Sequence, residues 1–225
     1  KTPSHKWDDL FDYEQESSEF DNYDWQNAVG IGTFTNWENL IVLDIDGCTD
    51  VGFIKQILKT LDLPEDYEWV VESGSKNGFH IYYNGNYIAE CDEDDVVSTF
   101  PPKQEFEKYV DKIEFLWKTH SVLPPSVHGS GNKYSFINNS FPKKAPSFVD
   151  NEKIYEFINT FLGFDKIVRQ NQYGGIFKTF SSKTDFINEQ DEEIDLTKHF
   201  LDEVYLIIDI ETTGLPQKTA SGTKY

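Results

Sequence analysis

Hydrophobic and polar positions alternate irregularly over the first 27 residues, and the chain becomes regular from AVGIGTF (28–34) onward. The apolar run in NLIVLDID predicts a buried strand over 40–46. VGFIKQILKTL then places Val51, Ile54, Ile57, Leu58 and Leu61 on one stripe at helical spacing, and DLPED ends that helix. YEWVVESGSKNGFHIYY predicts a strand, a glycine-containing loop and a second strand, arranged as a hairpin. CDEDDVVS reads as a solvated acidic loop and PPKQEFEKYVDK as a short helix. IEFLW and HSVL read as strands around a tight turn at Lys118 and Thr119, and YSFIN as another short strand. DNEKIYEFINTFLGF has the period of a helix, with Gly163 near its end. Residues 170–198 have no period and read as a linker, after which VYLIIDIETTGLP predicts an apolar strand ending in acid-x-acid. Strands mixed with helices in this way predict an α/β or α+β domain.

Composition narrows the function. With 225 residues, 38% hydrophobic and 16% aromatic, the chain has ample material for a core. No apolar run approaches a membrane span and no signal peptide heads the chain, which predicts a soluble, intracellular protein with no membrane partner. Cys48 and Cys91 make neither a disulfide framework nor a zinc cluster. A start at Lys1 and the absence of methionine predict a piece of a longer chain. The net charge of −20 opposes polyanion binding, but its distribution is uneven. Residues 1–50 carry 12 acids and two lysines, residues 51–100 ten acids and three lysines, and residues 101–150 five acids and seven lysines. A polyanion is therefore best tolerated by the middle of the chain. Arg169 is the only arginine, so lysine ammonium groups would make most phosphate contacts.

Three segments carry candidate chemistry. Asp44 and Asp46, two apart on a strand, point to one face with Cα atoms roughly 6.5 to 7 Å apart. Two like charges so placed repel unless a cation lies between them, and hard carboxylate oxygens suit Mg²⁺ or Mn²⁺. A turn at Asp46-Gly47 with Asp44 solvated is the competing explanation. An EF-hand is excluded, because Gly47 falls at loop position 4 instead of 6. In SGSKNGFHIYY, Ser73, Gly74, Ser75, Lys76 and Gly78 could turn backbone N–H groups toward an anion, with His80 returning on the next strand. The spacing is not that of a Walker A loop, and a glycine-rich hairpin with a core histidine also fits. In IEFLWKTHSVLPPSVHGSGNKY, Glu114 stands among apolar strand residues, and a diproline loop presents Ser126, His128, two glycines and Lys133 as phosphate donors. A plain Pro/Gly loop is the alternative. Acyl transfer by Ser126 and His128 is disfavoured, since no GxSxG elbow is present.

In this order the segments resemble the prim-pol domain of the archaeo-eukaryotic primase superfamily, found in viral, plasmid and phage replication proteins. The resemblance covers roughly residues 1–140: KTP and AVGIGTF at its start, LDIDG as the first acidic motif, SGSKNGFH as the small-residue and histidine motif, and Glu114 followed by the PPS-x-H loop. It implies a mixed sheet of prim-pol/RRM-like type with flanking helices and an active site in a cleft between two sheet subdomains. It also implies that Asp44, Asp46 and Glu114 hold two Mg²⁺ or Mn²⁺ ions and are catalytic, while Ser75, Lys76, Gly78 and His80 hold a triphosphate and Ser126 and His128 line the nucleotide pocket. The family's third acid is often aspartate, where this chain has Glu114. The implied partners are a single-stranded DNA template and primer, deoxynucleoside or ribonucleoside triphosphates, and a replicative helicase, in the compartment where the replicon's host copies it. Separately, LIIDIETTGLP resembles the first motif of the DEDD 3′-to-5′ exonucleases, with Asp209 and Glu211 as its acids. The expected organisation is a catalytic domain over 1–165, a linker or peripheral segment over 166–203 and the truncated start of an exonuclease-like domain over 204–225. A metal-dependent exonuclease and a non-catalytic nucleotide- or DNA-binding replication module are the alternatives to a primase/polymerase.

Overall fold

A computed structural model describes residues 15–86 and 95–163, together with short strands at 2–3, 168–171, 209–212, 218–219 and 222–223. In chain order the elements are β1 (Thr2–Pro3), β2 (Ala28–Phe34), β3 (Leu40–Asp46), α1 (Val51–Thr60), β4 (Val70–Glu72), β5 (Gly78–Asn84), β6 (Asp95–Phe100) and β7 (Lys112–Leu116). They continue with β8 (His120–Leu123), β9 (Ser135–Phe136), α2 (Asn151–Phe161), β10 (Val168–Asn171), β11 (Asp209–Thr212), β12 (Lys218–Thr219) and β13 (Gly222–Thr223). The fold is α+β, as expected. A seven-stranded sheet runs in the order β10-β6-β7-β3-β5-β4-β9, and a four-stranded sheet in the order β1-β11-β2-β8. Strand pairing is antiparallel in both. No helix among the described residues is long and apolar enough to cross a membrane.

Strand alternation sorts the large sheet into two unlike faces. Ile41, Leu43 and Ile45 of β3 share one face with Phe79 and Ile81 of β5 and with Ile113 and Phe115 of β7, and all are fully or nearly fully buried. The two helices belong to this face: Phe157 of α2 meets Phe115 at a ring distance of 6.0 Å, and Phe161 meets Phe53 of α1 edge-on at 5.6 Å. Asp50 caps α1 by accepting from Gly52 N at 2.7 Å and Phe53 N at 3.3 Å, satisfying amides that the first turn leaves open. The buried stripe of α1 is Phe53, Ile54, Ile57 and Leu58. Val51, expected in that stripe, is the first helical residue and is 45% exposed, because the stripe begins only where the helix reaches the sheet.

The other face holds Val42, Asp44 and Asp46 of β3, with His80 and Tyr82 of β5 and Lys112, Glu114 and Leu116 of β7. The small sheet lies against one end of it. Tyr82 Oη is 2.8 Å from Ser121 Oγ and donates to Val122 O at 2.9 Å, both on β8. The face is therefore sealed at Val42 and Tyr82 and opens progressively toward Asp46.

Several expectations need correction. Residues 104–109 form consecutive turns instead of a helix, closed by Phe106 N to Lys103 O and Tyr109 N to Phe106 O. Lys103 N donates to Phe161 O at the end of α2, and Phe106 and Tyr109 pack on Phe53 at the helix layer, so tertiary contacts set the path of this segment. Asp95–Ser98, read as part of an acidic loop, belongs to β6; Ser98 is fully buried, and its hydroxyl accepts from Trp117 Nε1 at 3.0 Å. β7 and β8 flank the expected turn but do not pair with each other, since β8 leaves for the small sheet and pairs with β2. Of 166–203, expected as a linker or peripheral segment, the described part, 168–171, is the edge strand β10 of the large sheet, and the remainder lies outside the described residues. Cys91 also lies outside them.

Candidate metal and nucleotide site

β3 is central in the large sheet, so a residue on its polar face has neighbours on both sides. Asp44 faces His80 on β5 and Glu114 on β7, and Glu114 faces Thr99 on β6. One step toward the open end, Asp46 faces Gly78 and Lys112. One carboxylate oxygen from each of Asp44, Asp46 and Glu114 lies within 4.8 Å of the others. Three hard oxygen donors at that spacing fit a divalent cation such as Mg²⁺ or Mn²⁺. A positive group already stands among them: Lys112 Nζ is 3.0 Å from Asp46 Oδ2 and 2.9 Å from Glu114 Oε2. Thr99 Oγ1 donates to Glu114 Oε1 at 2.7 Å, holding that carboxylate in place from the far side.

The electrostatics follow from the gradient of exposure. The Asp44 side chain is 20% exposed and that of Asp46 43%. Burial pushes the Asp44 carboxyl above the usual carboxylate range; His80 opposes the shift, Asp46 and Glu114 add to it, and Lys112 opposes it. For Lys112, burial acts downward, but hydrogen bonds to Glu114 and Asp46 outweigh it and raise its pKa. His80 Nε2 is 3.5 Å from Asp44 Oδ1, while its Nδ1 is 3.4 Å from both Tyr82 Oη and Ser121 Oγ. The imidazole thus joins the acidic site to the contact between the two sheets.

Two loops border the open end. In the first, Lys76 N donates to Ser73 O and Ser73 N to Gly78 O, so the chain turns tightly. Ser75 Oγ is 2.5 Å from Ser73 Oγ, and Lys76 Nζ pairs with Glu72 at 2.5 Å. Gly78 is required where it stands: a Cβ there would come within 2.9 Å of Ile45 O and 3.5 Å of Asp46 Oδ1. In the second loop, the Pro124-Pro125 bond is cis, and Ser126 is 1% exposed. Its hydroxyl accepts from Ile31 N at 2.8 Å and donates to Ile31 O at 3.0 Å, pinning the loop to β2. His128 Nδ1 accepts from Ser130 N at 3.1 Å, and Ser130 Oγ donates to Gly74 O at 2.8 Å. The loops touch so closely that a Cβ on Gly74 would lie 2.3 Å from His128 Cβ.

The structure therefore brings Asp44, Asp46, Glu114 and His80 together, with Gly78 beside Asp46. It places Ser75, Lys76 and His128 on the bordering loops and Ser126 beneath them. Asp209 and Glu211 lie on β11, which pairs with β2 in the small sheet, away from the sheet of the acidic cluster. Sequence reasoning missed Tyr134 and Thr99, and took Lys112 only as one of the seven lysines of 101–150 that offset repulsion. Lys112 is two before Glu114 on one strand, so its same-face placement was available from the alternation. Tyr134 has its ring centroid 5.8 Å from that of His80 and 5.9 Å from that of His128, linking the site to the loop; its only signal was its position at the loop's end. Thr99 carried no signal, since only strand register brings it to Glu114.

Comparison with known proteins bears on this arrangement. A search of curated proteins and a search of solved structures each returned no match. A family model described as bifunctional DNA primase/polymerase, N-terminal, matches residues 2–148, a span that takes in β3, β5, β7 and both bordering loops. On that match the chain belongs to the Prim-Pol family, whose members are primase/polymerase nucleotidyltransferases.

Proposed function

We propose that residues 1–165 form a template-directed nucleotidyltransferase that joins nucleoside triphosphates to a 3′-hydroxyl. The new bond runs from that oxygen to the α-phosphorus, and the bond to the departing pyrophosphate breaks. The observation that carries this reading is the convergence of Asp44, Asp46 and Glu114 within 4.8 Å on the face of one sheet, inside a domain of the Prim-Pol family. In it, Asp44, Asp46 and Glu114 are the residues that would hold two Mg²⁺ or Mn²⁺ ions, which when bound would supply positive charge to the attacking and leaving oxygens of an in-line displacement.

The remaining roles belong to the chain's own side chains. Gly78 lets β5 lie close against β3 beside Asp46, which holds the adjoining Ser75–Lys76 turn next to the carboxylate row. Ser75 and Lys76 donate to the triphosphate, Lys76 by exchanging its exposed pairing with Glu72 for a phosphate. His80, oriented by Tyr82 and Ser121, keeps Nε2 toward Asp44 and the reacting phosphate. His128 lines the nucleotide pocket from the opposite loop. Ser126 contributes by fixing that loop to β2. The polynucleotide substrates are a single-stranded DNA template and the primer strand whose 3′-hydroxyl is extended.

Primer extension by the purified domain with Mn²⁺ or Mg²⁺ tests this reading. The double variant Asp44→Ala/Asp46→Ala is expected to lose extension by at least about 1,000-fold, the scale on which an electrostatic contributor to a transition state acts. Unchanged extension by that variant overturns the assignment and favours a non-catalytic binding module. Strand degradation without incorporation would instead favour the exonuclease reading.

A further inference from the structure

Lys112 has no place in the mechanism above, yet among the described residues it is the lysine that contacts its carboxylates. Its ammonium bridges Asp46 and Glu114 at 3.0 and 2.9 Å, each contact at hydrogen-bonding distance. The bridge joins the acids of two neighbouring strands, and the lysine itself lies directly opposite Asp46 in the β3–β7 register. A metal ion shared by Asp46 and Glu114 would have to lie between these two carboxylates, where the ammonium now stands. Two cations cannot occupy that space together, because like charges a few ångströms apart repel and the oxygens have a limited number of lone pairs. The lysine side chain is 44% exposed and sits at the open end of the face, so it can swing outward on its four-carbon stem without disturbing the core.

We propose that Lys112 is a built-in counter-ion that occupies one metal position of the free protein and must be displaced when the metal binds. The proposal rests on the reading of Asp44, Asp46 and Glu114 as metal ligands. Without a metal, the ammonium offsets repulsion among three carboxylates in an already acidic protein. With a metal, it is released toward the open end of the face. Metal affinity in the absence of nucleotide is therefore held down by competition from within the chain.

Mn²⁺ titration of the purified domain without nucleotide, followed by the electron paramagnetic resonance of free Mn²⁺, tests this on three proteins. Lys112→Met removes the competitor at similar side-chain length, and Lys112→Arg keeps the charge. Lys112→Met is expected to bind Mn²⁺ about tenfold more tightly than the wild type, a difference of about 1.4 kcal/mol, while Lys112→Arg stays within about threefold of it. Equal or weaker binding by Lys112→Met, with a wild-type circular dichroism spectrum, overturns the proposal but leaves the metal site standing. Should Lys112→Met misfold, tightening in Lys112→Gln supports the proposal and its absence overturns it. Saturable binding missing from the wild type and every Lys112 variant would sink the metal reading itself, and this proposal with it.

Discussion

Asp44 shows how a residue of the candidate site can oppose the stability of the fold that holds it. Its carboxyl is pushed upward by burial and by two neighbouring acids, against the pull of His80 and Lys112. An acid whose pKa is higher folded than unfolded binds protons more tightly in the native state. It therefore lowers stability as pH rises from the unfolded value, 3.8, through the native one, and the full penalty persists above it. Asp44→Asn removes that charge while keeping the shape. In EDTA at neutral pH this variant is expected to melt about 2–4 °C above the wild type, with the advantage fading as pH falls below the native pKa of Asp44. Added Mn²⁺ should raise the melting temperature of the wild type but not that of the variant. Thermal denaturation followed by circular dichroism at several pH values checks both signs. At this scale the sequence was most informative where alternation applied: Asp44 and Asp46 are two apart on a strand, and their shared face follows from that alone. Lys112 and Glu114 obey the same rule. Thr99 could not be read, because its partner is 15 residues away across a strand pair whose register is set by packing.

At the scale of elements, the site depends on loops tied to the sheets at a few points. Ser126 is one such tie, with both hydrogen bonds of its hydroxyl made to the backbone of Ile31. Ser126→Ala would strip the partly buried Ile31 amide of this partner, at a cost of about 1 kcal/mol. Urea denaturation should show that loss as a lower midpoint with an unchanged slope. An unchanged midpoint would show that the loop is held by other means. The positions of β3, β5, β7 and α2 were legible because their apolar periods are clear and their lengths ordinary. The turns at 104–109 were not: QEFEKY has a helical period, but the packing of Phe106 and Tyr109 on Phe53 overrides it. The departure of β8 to the second sheet was likewise hidden. A short apolar strand after a tight turn reads as a hairpin, and only the contacts of Ser121 and Val122 with Tyr82 show where it docks.

For the whole molecule, the question is how a chain of net charge −20 can accommodate a triphosphate and a polynucleotide. Its acids are concentrated in residues 1–100, whereas residues 101–150 carry more lysines than acids. β7 and the PPS-x-H loop both come from that less acidic stretch, and β7 places Lys112 between two of the three carboxylates. The topology does the rest: β3 runs between β5 and β7, so acids and a histidine separated by up to 70 residues meet in one cross-strand row. That convergence is the central claim. It is tested most directly by anomalous diffraction from a crystal of the domain soaked with Mn²⁺ and a nucleoside triphosphate. The account predicts manganese peaks about 2.0–2.3 Å from carboxylate oxygens of Asp44, Asp46 and Glu114, with the phosphates beside Gly78 and Lys112 Nζ moved away from Asp46 and Glu114. Manganese bound elsewhere, with Lys112 still bridging Asp46 and Glu114, would contradict it.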